Sequence, residues 1–256
     1  MRFSTYGFCA LSCFAAAPAM AQDTAPPPPV TVSGGVTVVT DYRFRGLTQT
    51  DEDAALQGTV NVNHESGFYV GTWASTLDDE VSLPGYGDTE VDLYGGYSTT
   101  LDNGIGIDVG MLYYWYVDAP GGNDTDYFEP YATVSYAIGP VSTSVGANYA
   151  WGGQDGLDYT ASNDDSLYLH AEASTSIPGT PLSLNAHIGR SKGSLGLYNL
   201  DPNDDEYWDT SFGVEWAGGP ITGGVKYVDT DISNAGDFAQ ANGRGATVLG
   251  YVGLSF

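Results

Sequence analysis

The sequence predicts an all-β fold, a transmembrane antiparallel up-and-down β-barrel of about twelve strands. Apolar and polar residues alternate with period two in runs of about ten residues, the length that a tilted membrane strand needs. Short and long connections alternate strictly between these runs. The last run ends the chain at Phe256, with Leu254 and Val252 on one face and Ser255 and Gly253 on the other. A soluble β-sandwich would share the half-apolar strands but would have no reason to keep the alternation of connections.

The first 31 residues are predicted to lie outside the barrel. Residues 1–21 form a predicted secretory signal peptide, with Arg2 before an apolar stretch and an A-x-A cleavage site at 19–21. Residues 22–31 contain four consecutive prolines and are predicted to form a periplasmic polyproline II spacer. Residues 32–256 then form a single barrel domain.

Composition limits the possible functions. The 256 residues carry 7 Lys and Arg against 32 Asp and Glu, a net charge of −25. Binding to a nucleic-acid backbone needs clustered cations, so no nucleic-acid partner is expected. The two cysteines, Cys9 and Cys13, would leave with the signal peptide, which leaves no disulfide or thiolate chemistry. An aromatic content of 13% argues against disorder.

Each predicted strand is bounded by residues that favour turns, and each is long enough to cross a bilayer at a tilt. The predicted strands are Val32–Arg45, Ala55–Asn63, Phe68–Thr76, Thr89–Ser98, Ile105–Tyr116, Tyr127–Tyr136, Val141–Trp151, Ser166–Thr175, Leu182–Arg190, Tyr207–Trp216, Ile221–Val228 and Ala246–Phe256.

The connections predict the orientation of the barrel. Five are short, at 64–67, 99–104, 137–140, 176–181 and 217–220, and contain Gly, Pro, Asn or Asp. The six longer ones are acidic. Outer-membrane barrels have short periplasmic turns and long extracellular loops, so both chain termini are predicted on the periplasmic side.

Aromatic residues are predicted to form two outward belts at the membrane interfaces, where amphipathic rings are favoured. The long-loop belt contains Tyr42, Phe44, Trp115, Phe128, Tyr149, Trp151 and Trp208, and the short-turn belt contains Tyr97, Tyr136, Trp216 and Phe256.

Charged residues within strands are predicted to point into the lumen, because a charge facing lipid is costly. Asp41, Arg43 and Arg45 share one strand face. They could pair across the lumen with Glu90, Asp92 or Glu129. These side chains either form a charged constriction that selects solutes or a salt-bridge network that closes the barrel, and both interpretations stay open. The candidates are Asp41, Glu90, Asp92, Asp108, Glu129, Glu172, Asp209 and Glu215, with the cations Arg43, Arg45 and Lys226.

Metal binding and catalysis have little support. The acidic run at 201–206 places oxygen ligands on alternate residues, so Asp201, Asn203 and Asp205 are weak candidates for Ca²⁺ or another divalent cation. It lacks the glycine and the spaced terminal glutamate of an EF-hand. The three histidines, His64, His170 and His187, show no triad order or metal-ligand spacing, so no enzyme and no other cofactor are predicted.

Several motifs resemble the bacterial TorF family of porin-like proteins. The run Thr40-Asp41-Tyr42-Arg43-Phe44-Arg45-Gly46 resembles the opening motif of that family. Further similar runs are Ser66–Ser75, Glu90–Tyr97 and Tyr127–Tyr131, in the same order and spacing. The resemblance implies an outer-membrane pore, and it supplies no substrate or site residues.

Together these patterns predict a bacterial outer-membrane channel for passive diffusion of small hydrophilic solutes or ions, with a weak preference for cations. The alternative is a plugged barrel that binds surface partners or divalent cations through its acidic loops. Predicted partners are outer-membrane lipid and lipopolysaccharide, the barrel assembly machinery, and solutes or ions. The oligomeric state stays open.

Overall fold

The computed structural model describes residues 28–117, 119, 124–160, 165–196, 205–232 and 243–256. The predicted signal peptide and residues 22–27 of the predicted spacer lie outside this range and stay predictions. No helix in the described part of the chain is both long and apolar enough to span a membrane. The helical segments there are 3-10 turns at Asp155–Thr160 and Ser194–Gly196.

The described residues form fourteen strands, numbered in chain order. They are β1 Val30–Val39, β2 Arg43–Phe44, β3 Leu47–Thr48, β4 Ala55–His64, β5 Phe68–Thr76, β6 Thr89–Thr100, β7 Gly106–Val117, β8 Tyr127–Ile138, β9 Val141–Ala150, β10 Ser166–Ser176, β11 Leu182–Gly193, β12 Glu206–Gly218, β13 Ile221–Thr230 and β14 Thr247–Ser255.

Twelve of these strands form a closed antiparallel barrel, which confirms the predicted fold class. The strand β1 closes it, with Val36 opposite Gly58 of β4 and Leu254 of β14. Phe256 continues this closure, because its N–H donates to the carbonyl of Gly34 (2.9 Å) and its carbonyl accepts from the N–H of Gly34 (3.0 Å). No strand edge is left unpaired in the barrel wall.

The first predicted strand, Val32–Arg45, is wrong at its carboxyl end. The wall strand β1 ends at Val39, and residues 41–54 turn into the barrel as a small hairpin of β2 and β3, here called the inner hairpin. Arg45 and Gly46 have φ angles of 49° and 86°, and a strand cannot continue through these values. Asp41, Arg43 and Arg45 therefore reach the lumen from a loop, not from the barrel wall.

The inner hairpin also corrects two members of the predicted aromatic belt. Tyr42 is only 1% exposed, and its ring lies 5.2 Å from that of Trp73 inside the barrel. Phe44 packs edge-on against Tyr114, with ring centroids 5.8 Å apart. The other belt residues are exposed on the outer face, which also carries exposed Val, Leu, Ile and Phe side chains.

The inner face divides into two halves. Near the long loops its side chains are buried, as for Gln57 on β4 and Tyr168 on β10. Toward the short turns the same strands present partly exposed polar side chains, such as Asn61 and Ser174. We call this accessible half the vestibule. Its wall includes the partly exposed side chains of Thr59, Asn61, Asn63, Ser98, Ser135, Ser144, Glu172, Ser174, Asn185, His187 and Lys226.

Candidate lumen constriction

The inner hairpin is held together by a buried ion pair. Arg43 Nε donates to Asp41 Oδ2 at 2.6 Å, and the hydroxyl of Thr48 donates to Asp41 Oδ1 at 2.6 Å. The guanidinium also donates to the carbonyls of Gly46 (3.1 Å) and Gly243, and to Glu52 Oε1 (3.1 Å). Arg43 thereby ties the hairpin to the loop that precedes β14.

A second arginine fixes the tip of the hairpin against the opposite wall. Arg45 Nη2 donates to Glu129 Oε1 on β8 at 2.5 Å. The guanidinium carbon lies 4.6 Å from the ring centroid of Phe44 and 4.3 Å from that of Tyr168, so the cation is sandwiched between two rings. This is one of the cross-lumen pairings that the sequence offered.

Glu129 is the acceptor at the centre of this contact. It is 0% exposed, and its other oxygen accepts hydrogen bonds from Tyr114 Oη (3.1 Å) and Asn148 Nδ2 (3.0 Å). The stacked ring of Tyr127, 4.4 Å from that of Tyr114, closes the layer. Charge, hydrogen bonds and aromatic packing together fill the long-loop half of the lumen.

Glu90 and Asp92 lie side by side on the inner face of β6, 2% and 4% exposed. The sequence predicts both as possible partners of Arg43 and Arg45. Within the described residues neither forms an ion pair. Arg43 pairs instead with Asp41 and Glu52, and Arg45 pairs with Glu129.

Two histidines and two carboxylates form a network just below the hairpin. His170 Nδ1 lies 2.7 Å from Glu172 Oε1, and His187 Nδ1 lies 3.4 Å from the same oxygen. His187 Nε2 lies 2.9 Å from Asp209 Oδ1, which also accepts from Tyr168 Oη. This network places Glu172 and Asp209 where the vestibule meets the filled half.

The remaining candidates lie lower in the wall. Asp108 accepts from Tyr69 Oη at 2.6 Å, and Glu215 accepts from Tyr251 Oη at 2.7 Å. Lys226 is partly exposed on β13 and faces the vestibule. Asp108 and Glu215 each accept a hydrogen bond from a tyrosine two strands away around the barrel.

Sequence reasoning missed the loop groups that bind the inner hairpin, and it did not place His187 on the wall. Glu52 and the carbonyl of Gly243 bind Arg43, and Arg244 is 1% exposed. Period-two patterns report only on strands, so they carry no signal for such loop residues. The inward orientation of His187 could have been predicted from the alternation of β11. His187 has the same parity as Gly189 and Ser191, and the apolar Ile188 has the opposite parity.

The predicted metal site is only partly described. Asp201 and Asn203 lie outside the described residues, and the carbonyl of Asp205 accepts a hydrogen bond from the N–H of Gly193 (2.9 Å). Across the ranges that the structure covers, no group of three or more His, Cys, Asp or Glu side chains is arranged to hold a metal ion.

A closed barrel with an apolar outer face and a polar inner face is a porin-like β-barrel. The chain belongs to the Gcw_chp family, described as bacterial proteins of unknown function, whose model matches residues 23–250. That description names no activity, so the resemblance to the TorF family stays a prediction. No sequence among the curated proteins matches the chain significantly.

Two solved porin structures are similar in fold. The NanC porin, solved in a rhombohedral crystal form, aligns with a TM-score of 0.58 and 13% identity, over 88% of this chain and 99% of NanC. The KdgM porin, solved in complex with disordered oligogalacturonate, aligns with a TM-score of 0.56 and 7% identity, over 88% of this chain and 99% of KdgM. Because the identities are low, these similarities establish the fold alone.

Proposed function

We propose that this protein is an outer-membrane channel for passive diffusion of small hydrophilic solutes or ions, and that the inner hairpin restricts it. The observation that carries the proposal is the contrast between the two halves of the inner face. The short-turn half is polar and accessible, while the long-loop half is filled by a segment that is not part of the wall. The porin-like fold and the predicted signal peptide support a location in the outer membrane, with the vestibule facing the periplasm.

The accessible charges favour cations weakly. The arginines of the inner hairpin are buried against carboxylates and carbonyl oxygens, so they are not available to a solute. Among the described residues Lys226 is the lysine or arginine of the vestibule. The nearby acidic groups of the wall are the partly exposed Glu172 and the buried Glu215. KdgM was solved with oligogalacturonate, a polyanion. A polyanion would gain little in this lumen, since carboxylates outnumber Lys226 on the inner face of the described wall strands.

Replacing the inner hairpin tests the restriction directly. Val39 and Ala55 are direct partners across β1 and β4, so a short Asn-Gly turn can connect these strands in place of residues 41–53. We expect single-channel conductance in planar bilayers to rise severalfold over the parent protein. Equal conductance would contradict a restricting role, and the absence of conductance from both proteins would contradict the channel itself.

Lys226→Gln tests the charge selectivity, because it removes the vestibule cation without touching the hairpin. Under a salt gradient the reversal potential should move toward the value for a cation-selective pore. The matched control is Lys192→Gln, which removes a cation from the outer face. A shift of the same size in the control would show that the vestibule does not determine selectivity.

The filled half of the lumen favours a second candidate, a plugged barrel that binds partners or divalent cations through its acidic loops. Deletion of an acidic loop outside the lumen distinguishes the two functions. A channel would keep its conductance after the deletion, whereas a surface-binding barrel would lose its ligand.

A further inference from the structure

The few cations of this acidic chain are unevenly distributed. Three arginines are buried in the long-loop half, and Lys226 faces the vestibule. Arg190 and Lys192 are the remaining basic side chains in the described structure, and both lie on the outer face of β11 near the long loops. The sequence prediction ended this strand at Arg190, whereas the structure extends it to Gly193 and so brings both cations onto one face.

These two cations share a single carboxylate. Glu206 Oε2 on β12 accepts a hydrogen bond from Arg190 Nη2, and Lys192 Nζ lies 3.8 Å from the same oxygen. The side chains of Arg190 and Lys192 are 35% and 54% exposed. Among the described residues, the patch therefore places two positive charges against one carboxylate.

An aromatic ring and apolar side chains lie directly beside this patch. Trp208 is the register partner of Arg190, whose guanidinium carbon lies 5.8 Å from the ring centroid. On the other side of β11, Leu169 is also a register partner of Arg190, and Ile188 and Phe212 lie further from the long loops; all three are exposed. Along β11 from the loop side, Lys192 comes first, Arg190 follows level with Trp208 and Leu169, and the apolar Ile188 comes next. A lipid headgroup, the interface and an acyl chain require the same order.

The neighbouring strands differ in charge. On their outer faces Asp165 accepts from Tyr149 Oη (2.9 Å), and Asp229 accepts from Tyr227 Oη (3.0 Å). The patch is thus a local cationic site on an acidic rim, and an anionic headgroup would be attracted to this position and repelled by its surroundings.

We propose that Arg190, Lys192 and Trp208 bind the phosphate-bearing headgroup of a glycolipid in the outer leaflet, with acyl chains along Leu169, Ile188 and Phe212. Guanidinium and ammonium groups are the usual phosphate ligands, and the apolar surface below them fits a lipid rather than a soluble anion. Glu206 competes with the phosphate for both cations. The proposal rests on the outer-membrane location given above.

Binding of a defined glycolipid to the folded barrel tests the site. We suggest native mass spectrometry in a neutral detergent, with a bisphosphorylated lipid A-type glycolipid and the same lipid after dephosphorylation. Each cation should contribute about fivefold to affinity, and Arg190→Gln/Lys192→Gln together roughly thirtyfold. Glu206→Gln should bind more tightly, because both cations become free for the phosphate. Lys226→Gln, a charge change of the same size inside the lumen, should bind as the parent does.

Three outcomes would overturn the site. These are unchanged affinity in the double variant, equal affinity for the dephosphorylated lipid, and an equal loss in Lys226→Gln. The heat-dependent gel mobility of each variant verifies that its barrel is folded. Conductance of the parent protein separates the two proposals. A parent that conducts but does not bind the phosphorylated lipid would refute only the lipid site, and a parent that binds this lipid but does not conduct would refute only the channel.

Discussion

The contact between Arg45 and Glu129 allows a quantitative prediction about the inner hairpin. Glu129→Gln keeps the shape of the side chain but leaves the guanidinium of Arg45 buried without a counter-charge. Removing one partner of a buried ion pair costs about 3–5 kcal/mol. The lower end applies here for two reasons. Arg45 keeps its two ring contacts in the variant. Its Nε and Nη1 have no hydrogen-bond partner among the described residues, so the variant loses only the bond from Nη2. We therefore expect Glu129→Gln to destabilise the folded state by about 3 kcal/mol.

The double variant Arg45→Met/Glu129→Gln is the matched control. It removes both charges and replaces the guanidinium by an apolar chain that still fits between the rings of Phe44 and Tyr168. Replacing a buried pair by apolar groups is often nearly neutral, so the two single losses should exceed the double loss by about 2 kcal/mol or more. The measurement is equilibrium unfolding by urea in lipid vesicles, followed by tryptophan fluorescence.

The strain of an unpaired charge could also be relieved if the hairpin left the lumen while the barrel stayed intact. A cysteine introduced at Leu47, which is 2% exposed, reports this movement through its rate of thiol labelling. In the Glu129→Gln background the labelling rate should rise, and conductance should rise with it. Unchanged unfolding, unchanged labelling and a coupling free energy below about 0.5 kcal/mol would refute the reasoning.

Three further predictions concern the wall, the closure and the outer loops. Gly71→Ala would place a methyl group 2.4 Å from the ring of Tyr94 and should destabilise the barrel by about 1–3 kcal/mol in urea, whereas Gly58→Ala, with its nearest atom at 3.8 Å, should not. Deleting Phe256 removes both backbone hydrogen bonds to Gly34 and should lower the folded yield in cells; a normal yield would contradict it. Partial burial and then the charges of Asp78, Asp53 and Glu52 raise the pKa of the loop residue Asp51, so its ionised form is disfavoured in the folded state. Asp51→Asn should therefore stabilise the protein at pH 7 by about 0.3 kcal/mol, the scale of exposed charge pairs, and this gain should fade as the pH falls through the pKa of Asp51; a gain that persists at pH 3 would contradict it.

The wall of the barrel could be predicted because two solvents impose a period of two on every strand. Val36 and Val38 meet the outside, and Thr37 and Val39 meet the inside, so each strand declares its faces in its sequence. The connections could be predicted because short turns need Gly, Pro, Asn or Asp. The closure could be predicted because an even number of wall strands makes the first and last strands antiparallel. The structure pairs β1 and β14 in this way.

The inner hairpin could not be predicted, because its residues continue the alternation of the strand before it. Asp41, Arg43 and Arg45 alternate with Tyr42 and Phe44, which in a wall strand would mean lumen and lipid. In the hairpin the same alternation separates an ion-pair network from an aromatic cluster. Both environments select the same residue types, so periodicity cannot distinguish them. The one local signal in the sequence is Gly46. Glycine readily adopts a positive φ, and the positive φ of Gly46 helps to turn the chain out of the strand.

The placement of the hairpin changes which charges a solute would meet. In a wall strand, Arg43 and Arg45 would face open water and would weaken cation preference. In the observed fold they are buried against fixed acceptors. The close carboxylate largely cancels the electrostatic potential of each arginine, so an ion in the vestibule interacts with it weakly. The hairpin arginines would then determine whether a path exists, while Lys226 and the acidic groups of the vestibule would determine which ion uses it. Substitution of an arginine should therefore alter conductance first, and substitution of Lys226 should alter selectivity without opening the barrel.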